Sequence, residues 1–257
     1  MFFQWRASRF GAEKFHSAML PHAGTESRVF REIVELGGEL GKLTEVRGSR
    51  VRAEAEVLGL ELDPERVSTA RAQLAELRRG AGHFPADLPV SFARGGFEVP
   101  LPDGRRPAVI RAMNVLRQYD EADVPDAWAR MASRLAPGGL LVEGTCDEIG
   151  RIASFVDVDE AGAPQRFTIS LRLADLDRPS IVAERLPKAL IHRNVPGERI
   201  HALLTDLDRE WERAAGLSAF GATQRFLAAV AALRAAGHPV LGGRTSWRLG
   251  ELTVPWS

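Results

Sequence analysis

Short apolar runs of strand length alternate with helical patterns between residues 57 and 145, and this alternation constrains the fold more than any other feature. The first run, residues 57–62, is followed by Asp63, a favourable N-cap, and by Pro64, which suits a first helical turn. Further strand-length runs lie at residues 90–93, 107–113 and 140–145, with a second helix at 123–135. The pattern predicts an α/β fold whose doubly wound, mostly parallel sheet binds a ligand at the carboxyl ends of its strands.

The hydrophobic period changes after Thr145. Residues 152–159 and 166–173 alternate between apolar and polar side chains, and a loop containing Gly162 and Pro164 separates them. This spacing predicts an antiparallel hairpin. Beyond the hairpin, the sequence predicts two helices and a last pair of strands, at residues 197–215, 223–236, 239–241 and 245–254.

Composition limits the classes of partner. The 34 Lys and Arg residues balance 34 Asp and Glu residues, so a nucleic acid is not expected as the main partner. The single cysteine, Cys146, excludes an intrachain disulfide and a multi-cysteine zinc site, and it favours a cytoplasmic setting. The six histidines lack metal-ligand spacing, so no metal is expected. No uncharged apolar stretch approaches the ~20 residues of a transmembrane helix, so no membrane is expected either.

Four segments carry a family resemblance; they are residues 57–67, 92–101, 109–119 and 135–142. From about residue 33 to residue 145 the chain resembles the class I S-adenosylmethionine (SAM)-dependent methyltransferases. The resemblance implies a Rossmann-like, seven-stranded type of sheet with an inserted antiparallel hairpin and C-terminal helices. It suggests three parts: an N-terminal arm (1–25), a SAM-binding-like core (26–146) and a substrate-covering region that also holds the last strands (147–257).

The resemblance also assigns cofactor-binding roles. Glu61 stands where the family has an acidic residue that holds both ribose hydroxyls of SAM, and Leu62 follows it. A carboxylate can accept two hydrogen bonds from a vicinal diol. Gly96 and Phe97 stand where the base would be flanked, although the family usually has an acid at the position of Gly96. Asn114 stands beside the expected place of the transferred methyl, and a cap for the following turn is the alternative role.

The first motif of the family has its best match in residues 34–41, where the cofactor-binding residues would be Glu35, Gly37, Gly38 and Gly41. Glu39 replaces the middle glycine, so its side chain would crowd the ligand and its charge would repel the SAM carboxylate. Residues 27–36 also have the pattern of a helix that Gly37 would end. Both interpretations of this segment stay open.

No general base can be identified from the sequence, and a base is needed only where the nucleophile must lose a proton. The catalytic candidates are Asn114, Tyr119, Asp147 and Glu148. Asp147 and Glu148 directly follow the strand at 140–145, where catalytic loops are common, but capping roles are equally open for both.

Three functions compete. The leading one is a SAM-dependent methyltransferase acting on a small-molecule acceptor. The second is a methyltransferase-like binding protein that has lost catalysis through the change at Glu39. The third is an NAD(P)-dependent Rossmann oxidoreductase, because an acidic residue after the second strand also binds NAD ribose. The sequence leaves the methyl acceptor and the oligomeric state open.

Overall fold

The computed structural model describes residues 57–80, 90–101 and 104–256. Seven strands lie in these ranges: β1 (Val57–Glu61), β2 (Val90–Arg94), β3 (Val109–Met113), β4 (Leu140–Cys146), β5 (Ile152–Val158), β6 (Pro164–Leu171) and β7 (Glu251–Pro255). The α-helices in the same ranges are α1 (Pro64–Arg78), α2 (Val124–Ala132), α3 (Lys188–Ile191), α4 (Arg199–Arg213), α5 (Ala222–Ala235) and α6 (Arg244–Trp247). The predicted α/β class is confirmed.

The strands form two sheets. β1 pairs with β2 in parallel, and the second sheet has the order β3-β4-β5-β6-β7. Strands β3 and β4 are parallel, because the bond from Leu140 N to Ala108 O precedes the bond from Asn114 N to Gly144 O on both strands. The β5–β6 and β6–β7 pairs are antiparallel, so the predicted hairpin is confirmed and belongs to this mixed sheet.

The chain divides into two compact units. Among the described residues, the first unit consists of those up to Ala112 together with Ala127–Leu141 and Asp159–Gly162. The second unit consists of Met113–Asp126, Val142–Val158 and the residues from Ala163 onward. The predicted arm at residues 1–25 lies outside the described residues, and the predicted boundary near residue 146 stays a prediction.

In the first unit, helix α1 begins as the sequence predicts. The Asp63 side chain accepts hydrogen bonds from Glu65 N at 2.8 Å and Arg66 N at 3.4 Å, and Pro64 occupies the first turn. Arg71 Nε and Arg78 Nη2 donate to the carbonyls of Phe92 and Val90, both at 2.9 Å. These contacts hold α1 against β2.

In the second unit, helix α4 supplies a core face, confirming the helix predicted at residues 197–215. Its buried apolar residues follow helical spacing: Ile200, Leu203, Leu204, Leu207 and Trp211. The Trp211 indole nitrogen donates to Asp177 O at 2.8 Å, and the Arg225 guanidinium lies 3.9 Å from the centre of the Trp211 ring. Arg225 belongs to α5, so the stacking ties the second predicted helix to the first.

The predicted last pair of strands is wrong in extent. Residues 245–254 were expected as one strand, but β7 begins only at Glu251, and the preceding residues form α6. The helical turn buries Trp247, whose indole nitrogen donates to Leu241 O at 3.2 Å. Gly250 then has φ +84°, and a Cβ there would lie 1.9 Å from Leu171 O. The predicted strand at 239–241 is reduced to a single bridge between Leu241 and Thr253.

No helix within the described ranges is long and apolar enough to cross a membrane.

A carboxylate on α4 is stabilised by neighbouring groups. His238 Nε2 lies 2.7 Å from Asp206 Oδ2, and the guanidinium of Arg209 pairs with Asp206 Oδ1. The hydrogen bond from His238 contributes most to holding the pKa of Asp206 below its usual value, against the opposing effect of burial. A carboxyl group whose pKa is lower in the folded state stabilises the fold above its unfolded pKa of about 3.9, and this stabilisation is lost as pH falls through the folded pKa.

His238→Ala tests this contact. We expect the variant to lose about 1–2 kcal/mol of unfolding free energy at pH 7, because a charge-assisted hydrogen bond is removed. Urea unfolding measures the difference at pH 7 and then at a series of values below about pH 3.9, where it should shrink as pH falls toward the folded pKa of Asp206. His201→Ala, on the same helix, is the control. A difference that is unchanged at low pH would contradict this account.

Candidate functional site

The predicted ribose-binding residue lies at the carboxyl end of β1. Glu61 Oε1 accepts hydrogen bonds from Leu62 N at 2.8 Å and Asp63 N at 3.1 Å, which fix the carboxylate in place. Its other oxygen, Oε2, lies 3.7 Å from Arg66 Nη1, which is beyond hydrogen-bond distance. The Glu61 side chain is 22% exposed. A ligand hydroxyl can therefore still bond to Oε2.

Parallel pairing brings the predicted base-flanking segment beside Glu61. In the register of β1 and β2, Glu61 pairs with Arg94. Beyond this pair, Gly95 N donates to Glu61 O and Arg94 Nε donates to Leu62 O, both at 3.2 Å. The ends of the two strands therefore lie side by side. The structure brings together three of the predicted cofactor residues: Glu61, Leu62 and Gly96.

The space over Gly96 is filled by two neighbouring side chains. A Cβ atom on this glycine would lie 2.9 Å from Glu98 Oε2 and 3.1 Å from Leu62 Cδ2, so a side chain at this position would collide with both. Leu62 is 54% exposed, which is high for a leucine, and Glu98 is also exposed. Phe97 is half-buried, and its role toward a base stays a prediction.

Glu98 was missed by the sequence analysis. Its Oε1 accepts a hydrogen bond from Gly96 N at 2.9 Å, which folds the side chain back over the loop. The available signal was an acid two residues after the position where the resembling family has one. That signal was insufficient, because only the turn from Gly96 to Val99, closed by a 3.0 Å bond between Val99 N and Gly96 O, brings the carboxylate back.

In the second unit, Asn114 ends strand β3. Its backbone has φ +61°, a left-handed conformation that asparagine tolerates better than most residues. Its Oδ1 accepts from Cys146 N at 2.9 Å and its Nδ2 donates to Cys146 Sγ at 3.2 Å. The side-chain amide thus continues the hydrogen bonding between β3 and β4 beyond the last residue of β3. The side chain therefore caps the end of β3 against β4 and does not cap the following turn, and its role toward a cofactor stays a prediction.

Two further catalytic candidates lie in the turn between β4 and β5. Asp147 Oδ1 accepts from Arg151 N at 2.7 Å, so this carboxylate shapes the turn. Glu148 is 74% exposed, and its Oε1 lies 3.6 Å from Arg185 Nη2. The third candidate, Tyr119, is half-buried at the end of a 3-10 helix, where its N donates to Leu116 O. Contact of these three residues with a substrate stays a prediction.

A 3-10 helix at Pro179–Arg185 covers strands β4 and β5 in the second unit. Three successive carbonyls at its end accept side-chain hydrogen bonds: Glu184 O from Arg117 Nη1 (2.9 Å), Arg185 O from Ser154 Oγ (2.7 Å) and Leu186 O from Thr145 Oγ1 (3.2 Å). These bonds fix the 3-10 helix to the segment after β3 and to strands β4 and β5. No sequence pattern predicts this segment, because the groups that hold it are backbone carbonyls.

The predicted glycine motif, with Glu35, Gly37, Gly38 and Gly41, lies outside the described residues. Within the described ranges, no group of three or more histidine, cysteine, aspartate or glutamate side chains is placed to hold a metal ion.

The sequence comparisons match the N-terminal segment of the chain. A beta-galactosidase family model matches residues 1–43. The chain is 59% identical over 58 residues to a beta-galactosidase of Arthrobacter sp., and 58% identical over 59 residues to beta-galactosidase LacZ of Heyndrickxia coagulans. Each match covers 23% of this chain but only 8% and 9% of these relatives.

Two solved structures show a weak likeness to the chain. The CcbJ methyltransferase of Streptomyces caelestis shares 18% identity, with a TM-score of 0.29 over 45% of this chain and 51% of that one. DesVI of Streptomyces venezuelae shares 16% identity, with a TM-score of 0.27 over 77% of this chain and 72% of that one.

Asn114→Ala tests the cap at the end of β3. We expect it to lower the free energy of unfolding by about 2 kcal/mol, because Cys146 N loses its acceptor and alanine disfavours a positive φ. Asn114→Gly keeps the backbone conformation and removes only the amide, so it should cost less. Urea unfolding measures both, with Asn194→Ala as the matched control. Equal stability of wild type and Asn114→Ala would show that the cap contributes nothing.

Proposed function

We propose that the chain is a SAM-dependent methyltransferase that acts on a small-molecule acceptor. The observation that carries this proposal is the Glu61 carboxylate, fixed by two backbone N–H groups at the end of a parallel strand pair. Parallel α/β sheets bind nucleotide-like ligands at this edge. The arrangement suits the adenosine half of SAM.

The ribose and the base of an adenosine would contact different kinds of side chain at this edge. Glu61 Oε2 is available to accept from ribose hydroxyls, while Oε1 stays bonded to Leu62 N and Asp63 N. The exposed Leu62 side chain offers an apolar surface to one face of a base, which removes both from water. The residues present therefore fit the nucleoside part of the cofactor.

The chain's own residues would mainly position the reactants. SAM supplies an electrophilic methyl group when bound, so the protein need only orient the acceptor and exclude water. Asn114 ends β3 and sets the course of the loop that the family places beside the methyl. If the acceptor must lose a proton, Tyr119, Asp147 and Glu148 are the proposed groups to receive it.

The proposal extends to setting and partner. The equal numbers of basic and acidic residues support a small-molecule acceptor over a nucleic acid. The single cysteine supports a reducing, cytoplasmic setting.

A second function is favoured by one observation. The segment matched by the beta-galactosidase family, residues 1–43, contains Glu35, Gly37, Gly38 and Gly41, which the sequence analysis assigned to the amino-acid half of SAM. A segment with that resemblance, carrying Glu39 within the glycine motif, need not bind a methionine moiety. The second candidate is therefore a methyltransferase-like binding protein without catalysis.

Isothermal titration with S-adenosylhomocysteine, adenosine and NAD(P) tests these functions. The methyltransferase proposal predicts micromolar binding of S-adenosylhomocysteine, clearly tighter than that of adenosine. Equal binding of these two ligands would favour the second candidate, because the methionine moiety then adds nothing. Binding of NAD(P) alone would instead support an oxidoreductase.

Glu61→Gln tests the ribose assignment. It keeps an oxygen for Leu62 N and Asp63 N but removes the charged acceptor, so we expect about tenfold weaker S-adenosylhomocysteine binding. Glu65→Gln, an exposed change on the first turn of α1, is the control. Unchanged affinity in Glu61→Gln would remove Glu61 from the ligand site.

A further inference from the structure

Residues 184–192 cross the edge of the sheet at which strands β3 and β4 end. These two strands are parallel, so their carboxyl ends lie at the same edge. The carbonyl of Glu184 is bonded to Arg117, which follows β3, and the carbonyl of Leu186 is bonded to Thr145, near the end of β4. The segment therefore lies against the loop after β3, which the proposed function puts beside the transferred methyl.

His192 follows α3 in this segment and is paired with an acid. Its Nδ1 lies 3.0 Å from Oε2 of Glu121, which begins the 3-10 helix Glu121–Asp123 after β3. A carboxylate accepts hydrogen bonds only, so this contact keeps the proton of a neutral imidazole on Nδ1 and leaves the lone pair on Nε2. The His192 side chain is 69% exposed, so a small molecule can reach Nε2.

This pair has the two properties that a general base needs. Histidine is the side chain whose charge ordinarily changes between pH 5 and 8, so a neutral imidazole can accept a proton near neutral pH. The Glu121 carboxylate holds the ring in one orientation and stabilises the imidazolium that forms. At the same edge, Asp147 already accepts from Arg151 N, and Glu148 faces a guanidinium. His192 is therefore better suited to receive a proton than these two carboxylates.

We propose that His192 Nε2 is the general base of the methyl transfer, with Glu121 as its positioning residue, and that the acceptor is a small molecule with a hydroxyl group. The acceptor oxygen forms a bond to the methyl carbon, the carbon–sulfur bond breaks, and its electron pair stays on sulfur. Nε2 takes the hydroxyl proton and later releases it to water. The inference rests on the proposed function and names its acceptor class.

Two probe acceptors of similar shape separate base catalysis from binding. At about pH 8, phenol still carries its proton, as the tyrosine side chain does, whereas thiophenol is largely ionised and needs no base. We would measure the formation of anisole and of thioanisole from SAM. His192→Gln should lower the rate with phenol about a hundredfold and leave the rate with thiophenol within about twofold.

Two further variants complete the experiment. Glu121→Gln should also lower the rate with phenol, by a smaller factor, and leave the rate with thiophenol unchanged, because it alters only the orientation and charge of the base. His201→Gln, on helix α4, is the matched control and should keep both rates. The pair of His192 and Glu121 is exposed and contributes little to folding, which thermal unfolding of each variant would verify.

The outcomes separate this inference from the proposed function. If wild type methylates thiophenol but His192→Gln keeps the wild-type rate with phenol, the role of His192 is overturned and the proposed function stands. An equal loss with both acceptors, or no methylation of phenol by wild type, overturns the role of a base in the same way. If wild type methylates neither probe, the inference is overturned, and the binding of S-adenosylhomocysteine decides the proposed function separately.

Discussion

The parallel pairing of β1 with β2 is the constraint on which the candidate cofactor site depends. The register that pairs Glu61 with Arg94 brings two strand ends to one edge, and the bonds from Gly95 N and Arg94 Nε extend the pairing past the strands. Glu61 Oε1 then accepts a hydrogen bond from Leu62 N, and in the loop after β2 Glu98 Oε1 accepts one from Gly96 N. Slippage of β2 by one residue would move the side chains of that strand to the other face of the sheet.

Most of the fold followed from local patterns. The Asp63-Pro64 start of α1, the alternation that makes β5 and β6, and the helical spacing of α4 are all short-range signals, and each element formed where it was expected. The predicted extent of the last strand was wrong because the conformation of this segment depends on contacts with residues distant in the sequence. Trp247 is apolar enough to extend a strand pattern, but burial of its indole and the close approach of Gly250 to Leu171 favour a helical turn there.

The candidate site was less predictable. The position of Glu61 was predictable because this residue ends a strand-length apolar run. The position of Glu98 was not, because it depends on a tight turn with a positive φ at Val99, a conformation that a valine in the sequence does not indicate. Asn114 was assigned either to the cofactor or to a cap of the following turn, and its side chain instead bonds across to Cys146 on the neighbouring strand. The glycine motif rests on a pattern of a few residues, and the same segment matches beta-galactosidases over 43 residues, so the amino-acid half of the proposed site has weaker support than the nucleoside half.

Hydrogen–deuterium exchange of the full chain, with and without S-adenosylhomocysteine, tests the central claim that a nucleoside cofactor binds at the ends of β1 and β2. We predict slower exchange in peptides spanning residues 60–66 and 94–101, with helix α4 unchanged. Ligand binding that leaves both peptides unaffected, or that protects only other segments, would contradict the account.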